Sequence, residues 1–113
     1  MAQRLALRAA EGSTYVIRLA YFDEDGVAET PTAVTWTLTD RVGTVINSRL
    51  DVIIAAPGTT NDVLLSGADL VLSTGSGPER VLLVEAIYTS SLGAGLPLKE
   101  ECWFVIDGVV AYP

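Results

Sequence analysis

The sequence contains no histidine among its 113 residues. Histidine is the usual general base near neutral pH and a frequent ligand of zinc. Its absence excludes the Ser–His and Cys–His pairs of nucleophilic enzymes and most zinc sites. Only carboxylates, lysine and tyrosine remain for acid–base chemistry, so we expect a protein that is not an enzyme and that uses no cofactor.

Cysteine is almost as scarce, because Cys102 is the only one in the chain. A single thiol cannot form an internal disulfide, so a disulfide-stabilised scaffold is excluded. Long apolar runs are also lacking, and Arg8 lies where the apolar stretch of a signal peptide would have to be. These absences predict a protein that folds in a reducing cytoplasm and does not enter a membrane.

Positive charge is scarce as well, since 7 basic residues face 14 acidic ones and the formal net charge is −7. An acidic chain repels phosphate groups, so we expect no nucleic-acid partner. Hydrophobic residues make up 50% of the sequence. A chain of this length forms one domain, here residues 1–113, and buries roughly 60–70% of the surface that its unfolded form exposes.

The chain does have a strong alternation of apolar and polar residues, which is typical of half-buried β-strands. In residues 32–40, Val34, Trp36 and Leu38 share one face and threonines occupy the other. Other strands are predicted within 4–10 and at 13–22, 43–48, 50–56, 60–67, 79–90 and 99–107, with a helical turn in 67–73 and loops at 73–79 and 91–97. This spacing predicts an all-β fold, an immunoglobulin-like antiparallel β-sandwich of about 7–8 strands with Trp36 in its core.

The segment DEDG, residues 23–26, resembles part of a calcium-binding EF-hand loop. With Gly26 at the sixth position of such a loop, Tyr21 and Thr32 occupy the positions of the first and last ligands. Neither residue supplies a carboxylate there. The segment is therefore interpreted as a surface turn, with weak calcium binding by residues 23–25 as the alternative.

The segment TGSGPER, residues 74–80, resembles a phosphate-binding loop at Gly75 and Gly77. Arg80 stands where a third glycine is needed, and a strand is predicted after it. The helix N-terminus that would hold a phosphate is therefore not expected.

Residues 97–107, PLKEECWFVID, bring Lys99, Glu100, Glu101 and Cys102 together in sequence. In a strand, Lys99 and Glu100 point to opposite sides and cannot act on the same substrate. Cys102 lies beside apolar residues, where a thiol behaves as a small hydrophobe with a raised pKa. The segment is therefore predicted to be the last strand, with a charged start that discourages edge-to-edge pairing.

Two strands of this pattern predict an apolar outer surface. In residues 79–90 the face that contains Leu82 and Val84 is predicted to be core, which turns the opposite face outward. If residues 99–107 pair with this strand, one patch collects the outward apolar residues Val81, Leu83, Ile87, Trp103 and Val105. Such patches mark protein–protein contacts, with tryptophan as a preferred anchor, and the threonine face of 32–40 would form a polar rim.

A carbohydrate-binding module is the alternative from another functional class. It requires exposed aromatic residues among polar groups, and the chain offers Tyr88, Trp103 and Tyr112 for that role. These residues lack a polar cluster around them in the sequence. We therefore expect a protein-binding surface before a glycan-binding one.

Several stretches together resemble one group of proteins: EGSTYVIRLAYFDEDG, TPTAVTWTLTD, GTVIN, LSGADL and LPLKEECWFVIDGVVA. They are similar to small structural proteins of tailed-bacteriophage virions that have an immunoglobulin-like β-sandwich, in the style of N-terminal domains of baseplate and fibre-attachment proteins. The resemblance implies a non-enzymatic virion component, assembled in the host cytoplasm. Its partners would be tail, fibre or capsid subunits or further copies of itself, and the alternative role is capsid decoration.

Overall fold

The computed structural model describes residues 3–72 and 77–108 and consists mainly of β-strands. The strands are β1 (Gln3–Arg4), β2 (Ala9–Ala10), β3 (Gly12–Ala20), β4 (Ala33–Thr39), β5 (Val52–Ile53), β6 (Thr60–Gly67), β7 (Glu79–Ser90) and β8 (Gly93–Asp107). A 3₁₀ helix, Ala68–Leu70, follows β6. Within these described ranges, no helix is long and apolar enough to cross a membrane. The predicted all-β class is confirmed.

The strands form two sheets of unequal size. The main sheet has the order β1-β8-β7-β4-β5, with β2 also paired to β8, and the small sheet consists of β3 and β6. The 3₁₀ helix stands between β6 of the small sheet and β7 of the main sheet, which confirms the predicted helical turn in residues 67–73. The central pairs β4–β7 and β7–β8 are antiparallel, as the sequence predicted.

The pairing at the N-terminus differs from the prediction. Strands β1 and β2 both run parallel to β8, so the main sheet is mixed and the purely antiparallel sandwich is wrong in this respect. The chain follows β8 in the same direction before it turns into β3. Alternation along a strand contains no information about the direction of its partner, so the sequence could not indicate this arrangement.

In the described part of the chain, one core cluster joins the two sheets. The faces predicted to be core in β4 and β7 are buried as expected, with Leu38 and Leu82 among the core residues, and in β3 the buried face is the one that contains Ile17. The rings of Tyr15 in β3 and Phe104 in β8 stack with centroids 4.6 Å apart. This contact packs the small sheet against β8, and Trp36 is buried as predicted.

Two predicted strands between β4 and β6 are largely absent. The prediction at 43–48 is wrong, since this segment forms only an isolated bridge between Thr39 and Val45, and the strand predicted at 50–56 shrinks to β5. Asn47, Ser48 and Asp51 adopt positive φ angles of 51°, 56° and 48°. Such angles are incompatible with a continuous strand, so this stretch curls around the end of β4 instead.

The predicted loop at 91–97 is also wrong over most of its length. Strand β8 begins at Gly93, and the register of Ser90 with Gly93 leaves a tight hairpin turn after β7. Pro97 lies inside the strand opposite Ile87. Proline is tolerated there because its backbone faces an edge of the sheet at which none of the described strands requires its amide hydrogen.

Candidate functional site

The predicted apolar patch lies on one face of the main sheet. We call Val81, Leu83, Ile87, Trp103 and Val105 the outer face. In the register of β7 and β8, Val81 stands opposite Trp103 and Leu83 stands opposite Glu101. The adjacent residues Leu82 and Phe104 are fully buried on the core side. The strand parity deduced from the sequence is therefore the one observed.

Trp103 is the centre of this face and has an arginine on each side. The guanidinium carbon of Arg4 lies 5.2 Å from the centre of the Trp103 ring, within the range of a cation–π interaction. A shallow cavity of about 250 Å³ is lined by Arg41, Glu79, Val81 and Trp103. Arg41 and Glu79 form an ion pair of 3.1 Å at its rim. The indole ring is thus held in place beside an accessible hollow.

Charged residues lie between the apolar residues of the outer face. Lys99 and Glu85 stand opposite each other and form an ion pair of 3.3 Å. This ion pair separates Ile87, which is 44% exposed, from the other four residues of the outer face. Opposite charges on neighbouring strands stabilise the sheet only slightly where they are solvated. The apolar region is therefore strongest around Trp103.

The threonine face of β4 borders the patch, as predicted. In the register of β4 and β7, Thr39 stands opposite Val81 and Thr37 stands opposite Leu83. Thr37 is only 6% exposed, because the segment after β4 folds over it and the amide of Asp51 donates a 3.0 Å hydrogen bond to its Oγ1. The rim is polar, but on this side it is partly covered by the chain itself.

The residues of the KEEC segment do not meet at one point. Lys99 stands opposite Glu85 on the outer face, while Glu100 stands opposite the core residue Val84. Cys102 is half-buried on the core side of β8. Burial, followed by the nearby charges of Glu101 and Glu100, raises the pKa of the Cys102 thiol to about 11. The thiol is therefore protonated at neutral pH and is a poor nucleophile.

Replacing Cys102 with serine should lower the free energy of unfolding by about 1 kcal/mol, because a half-buried hydroxyl requires a new hydrogen-bond partner. Cys102→Ala should have a similar effect through lost packing. In the wild type, alkylation by iodoacetamide should be slow at neutral pH and accelerate as the pH approaches 11. Denaturant unfolding and mass spectrometry measure the two quantities. A hydrolytic or transfer activity that vanished in either variant would contradict this interpretation.

The acidic turn at residues 23–26 is held by its own chain. Asp23 Oδ1 accepts hydrogen bonds from the amides of Asp25 and Val27, and Gly26 has a φ of 77°. Glu24 Oε1 accepts hydrogen bonds from the hydroxyls of Tyr88 and Ser90 in the β7–β8 hairpin. Carboxylate oxygens of residues 23–25 lie within 4.8 Å of one another. The predicted turn is confirmed, and it fastens the hairpin to the end of β3.

The other sequence candidates are dispersed. Gly75 lies outside the described residues, and β7 begins directly at Glu79, so a strand rather than a helix follows the glycine-rich segment. Among the aromatic residues considered for glycan binding, Tyr88 is buried and Tyr112 lies outside the described residues. Trp103 is the one that remains on the surface, beneath Arg4.

A cavity of about 290 Å³ that no sequence pattern indicated lies beside β8. It lies between β3 and the start of β8, and its lining includes Ile17, Tyr21, Leu98 and Glu100. These positions are far apart in sequence, and no motif connects them.

Comparison of the chain with models of protein families, with curated proteins and with solved structures finds no match.

Proposed function

We propose that this protein is a non-enzymatic structural component that binds other proteins through the outer face. The observation that carries this proposal is the position of Trp103. Its ring lies at the surface between Val81 and Arg4, beside a hollow of about 250 Å³. Tryptophan and arginine are the residues most enriched at the energetic centres of protein interfaces.

The arrangement of charges around Trp103 suits a specific contact. The ion pairs Arg41–Glu79 and Lys99–Glu85 present both signs of charge on either side of the apolar centre. Charged rims of this kind orient a partner and disfavour wrong ones more than they add affinity. A partner with an apolar or acidic side chain would fill the hollow beside Trp103 and contact Arg41.

The biological setting is proposed from the resemblance described above. We propose a bacteriophage virion, with the tail or fibre-attachment apparatus as the location and capsid decoration as the alternative. The immunoglobulin-like sandwich belongs to the same proposal, and two sheets around one core are compatible with it. The partners would be other virion proteins or further copies of this chain, assembled in the host cytoplasm.

Substituting Leu83→Lys or Trp103→Glu should abolish assembly while the isolated protein stays folded. Both side chains are only partly buried, so the expected loss in the free energy of unfolding is at most about 1–2 kcal/mol. A charge placed in an apolar interface should weaken binding by at least roughly tenfold, since the desolvated charge would lack a partner. Thermal unfolding, sedimentation velocity and immunoblotting of purified particles measure the stability, self-association and incorporation of each variant.

Leu64→Lys is the matched control, because Leu64 is an equally apolar residue that is 60% exposed on the outside of the small sheet. It should assemble as the wild type does. If Leu83→Lys and Trp103→Glu are folded and assemble normally, the outer face is not the docking surface. If they unfold, these residues serve the core and the proposal fails.

A further inference from the structure

The sandwich is open on the side where β3 and β8 face each other. Strand β3 pairs only with β6, so its second edge has no partner strand among the described residues. Strand β8 pairs with β1 at Cys102 and Trp103 and with β2 at Ile106 and Asp107, and from Gly93 to Glu101 this edge has no partner within residues 3–72 and 77–108. We call the cavity of about 290 Å³ between these two edges the side groove.

The side groove is lined by backbone edges as well as side chains. Its wall includes every residue from 17 to 22 on one side and from 100 to 102 on the other. Side chains alternate between the two faces of a strand, so consecutive residues can all line a cavity only where it follows the edge of the strand. Its floor is apolar and contains Leu5, Ile17, Val84 and Leu98.

The register shows which backbone groups of β8 point into the open side. The carbonyl of Ile87 accepts a hydrogen bond from the amide of Thr32, so the backbone of Ile87 faces β4 and not its neighbour Pro97. In an antiparallel pair the pattern repeats every second residue. The amides and carbonyls of Lys99 and Glu101 therefore point away from β7, towards the groove.

A buried hydroxyl in the wall also lacks a partner. Tyr21 is only 3% exposed, and its Oη forms no hydrogen bond within the described part of the protein. A buried hydroxyl without a partner is unfavourable, and native structures contain few of them. The hydroxyl oxygen has almost no accessible surface in the free protein, so an occupant removes this penalty when its entry shifts the wall and brings a hydrogen-bonding group to Tyr21.

The negative charges at the side groove favour an occupant with basic side chains. Arg18 is paired with Asp62 and Lys99 with Glu85, whereas neither Glu100 nor Glu101 has an ion-pair partner among the described residues. Strand β1 is bound to the same edge of β8 next to the groove, and its side chains indicate which residues this edge can bind. There the amide of Leu5 donates to the carbonyl of Trp103, Leu5 packs against the core, and Arg4 lies on the outer face.

We propose that the side groove binds an extended segment of a partner protein, which adds to the edge of β8 in line with β1. Its inward side chains are apolar and enter the cavity, and its outward side chains are basic and lie beside Glu101. Backbone hydrogen bonds to Lys99 and Glu101 supply affinity, as in other cases of strand addition. The side groove contains none of the five outer-face residues. The proposal for the groove can therefore fail or succeed without affecting the proposed function.

The test uses a synthetic peptide of alternating lysine and valine, with blocked ends, added to the full chain. Binding is measured by calorimetry, and occupancy by protection of Cys102, which lines the groove, from iodoacetamide. The peptide should bind and slow the alkylation of Cys102. Tyr21→Phe should weaken binding roughly threefold to tenfold through one lost hydrogen bond, and it should not lower the stability of the free protein. Glu101→Gln should also weaken binding.

The matched control peptide has the same side chains but N-methylated amides, so it keeps the charge and cannot pair with a strand. It should neither bind tightly nor protect Cys102. Equal binding of both peptides would show that net charge alone attracts them and would overturn the proposal. Absence of binding by the unmodified peptide, or binding that Tyr21→Phe and Glu101→Gln leave unchanged, would overturn it as well. Self-association that protects Cys102 without any peptide, and that persists in Leu83→Lys, would identify a second copy as the occupant and would also contradict it.

Discussion

Replacing Asp69 with alanine should lower the free energy of unfolding by about 2–3 kcal/mol, because several donors around a buried carboxylate would lose their acceptor. The carboxylate is fully buried and accepts hydrogen bonds from Asn47 Nδ2 at 2.8 Å, Arg49 Nε at 2.8 Å and the amide of Ser66 at 3.1 Å. It therefore ties the irregular segment after β4 to the end of β6. Without it, these donors lose their acceptor inside the protein.

The contribution of Asp69 should also depend on pH. Burial by itself raises the pKa of the Asp69 carboxyl, but the hydrogen bonds from Arg49, Asn47 and Ser66 outweigh it, and the net pKa is lowered. As the pH falls, the unfolded chain takes up its proton first. The stabilisation is therefore complete above about pH 5 and is lost as the pH falls through the lowered pKa, below about pH 4.

Denaturant unfolding of the wild type and of Asp69→Ala between neutral and acidic pH measures both effects. Asp62→Ala is the matched control, because Asp62 forms an exposed ion pair of 3.0 Å with Arg18. That control should lose less than about 1 kcal/mol. A difference between wild type and Asp69→Ala that stayed constant down to acidic pH would contradict the assignment of the effect to the carboxylate charge.

Replacing Arg80 with methionine should lower the free energy of unfolding by about 2–3 kcal/mol, because three carbonyl groups that contact the buried guanidinium would lose their donors. Arg80 is fully buried in β7. Its Nη1 donates to the carbonyls of Gly77 at 2.8 Å and Glu79 at 2.9 Å, and its Nη2 donates to the carbonyl of Val71 at 2.9 Å. The guanidinium thus joins the chain after the 3₁₀ helix to the start of β7.

Arg80→Lys should recover only part of this stability, since an ammonium group does not reproduce the planar, branched geometry of a guanidinium. Thermal and denaturant unfolding measure both variants. Arg41→Met is the matched control, because the Arg41 side chain is largely exposed and forms only a surface ion pair with Glu79. Its loss should be below about 1 kcal/mol. Equal stability of Arg80→Met and Arg41→Met would show that the buried hydrogen bonds contribute little.

The burial of Asp69 and Arg80 could not be predicted from the sequence. Arg80 follows the alternation of β7 onto the core face, next to Leu82, but charge alone indicates the surface. Its guanidinium is buried against the carbonyl groups of Gly77, Glu79 and Val71, which precede it by 3, 1 and 9 residues, and the alternation of β7 gives no sign of these contacts. Asp69 similarly lies in a short polar stretch and acquires its role from Arg49 and Asn47, twenty residues or more away along the chain.

The candidate surfaces divide in the same way. The parity that places Trp103 and Val81 outward could be deduced, because alternation in β7 and β8 is a local property and the two strands are neighbours in sequence. The side groove could not be deduced from the sequence, because it depends on which strand edges stay unpaired after β1 and β2 join β8. The sequence contains no periodic signal for an unpaired edge.

By itself the sequence predicted the all-β class, strands at 13–22, 32–40, 60–67 and 79–90 that lie within two residues of the observed ones, and the core-facing side chains of 32–40 and 79–90. These features follow from a two-residue period that the chain carries locally. Only the tertiary structure decided the parallel pairing of β1 and β2 with β8, the curled segment at Asn47 and Ser48, and the burial of Asp69 and Arg80. Apart from Arg80, whose acceptors lie within nine residues of it, each of these depends on partners distant in sequence, whose hydrogen bonds and packing outweigh the local preference of the residues involved.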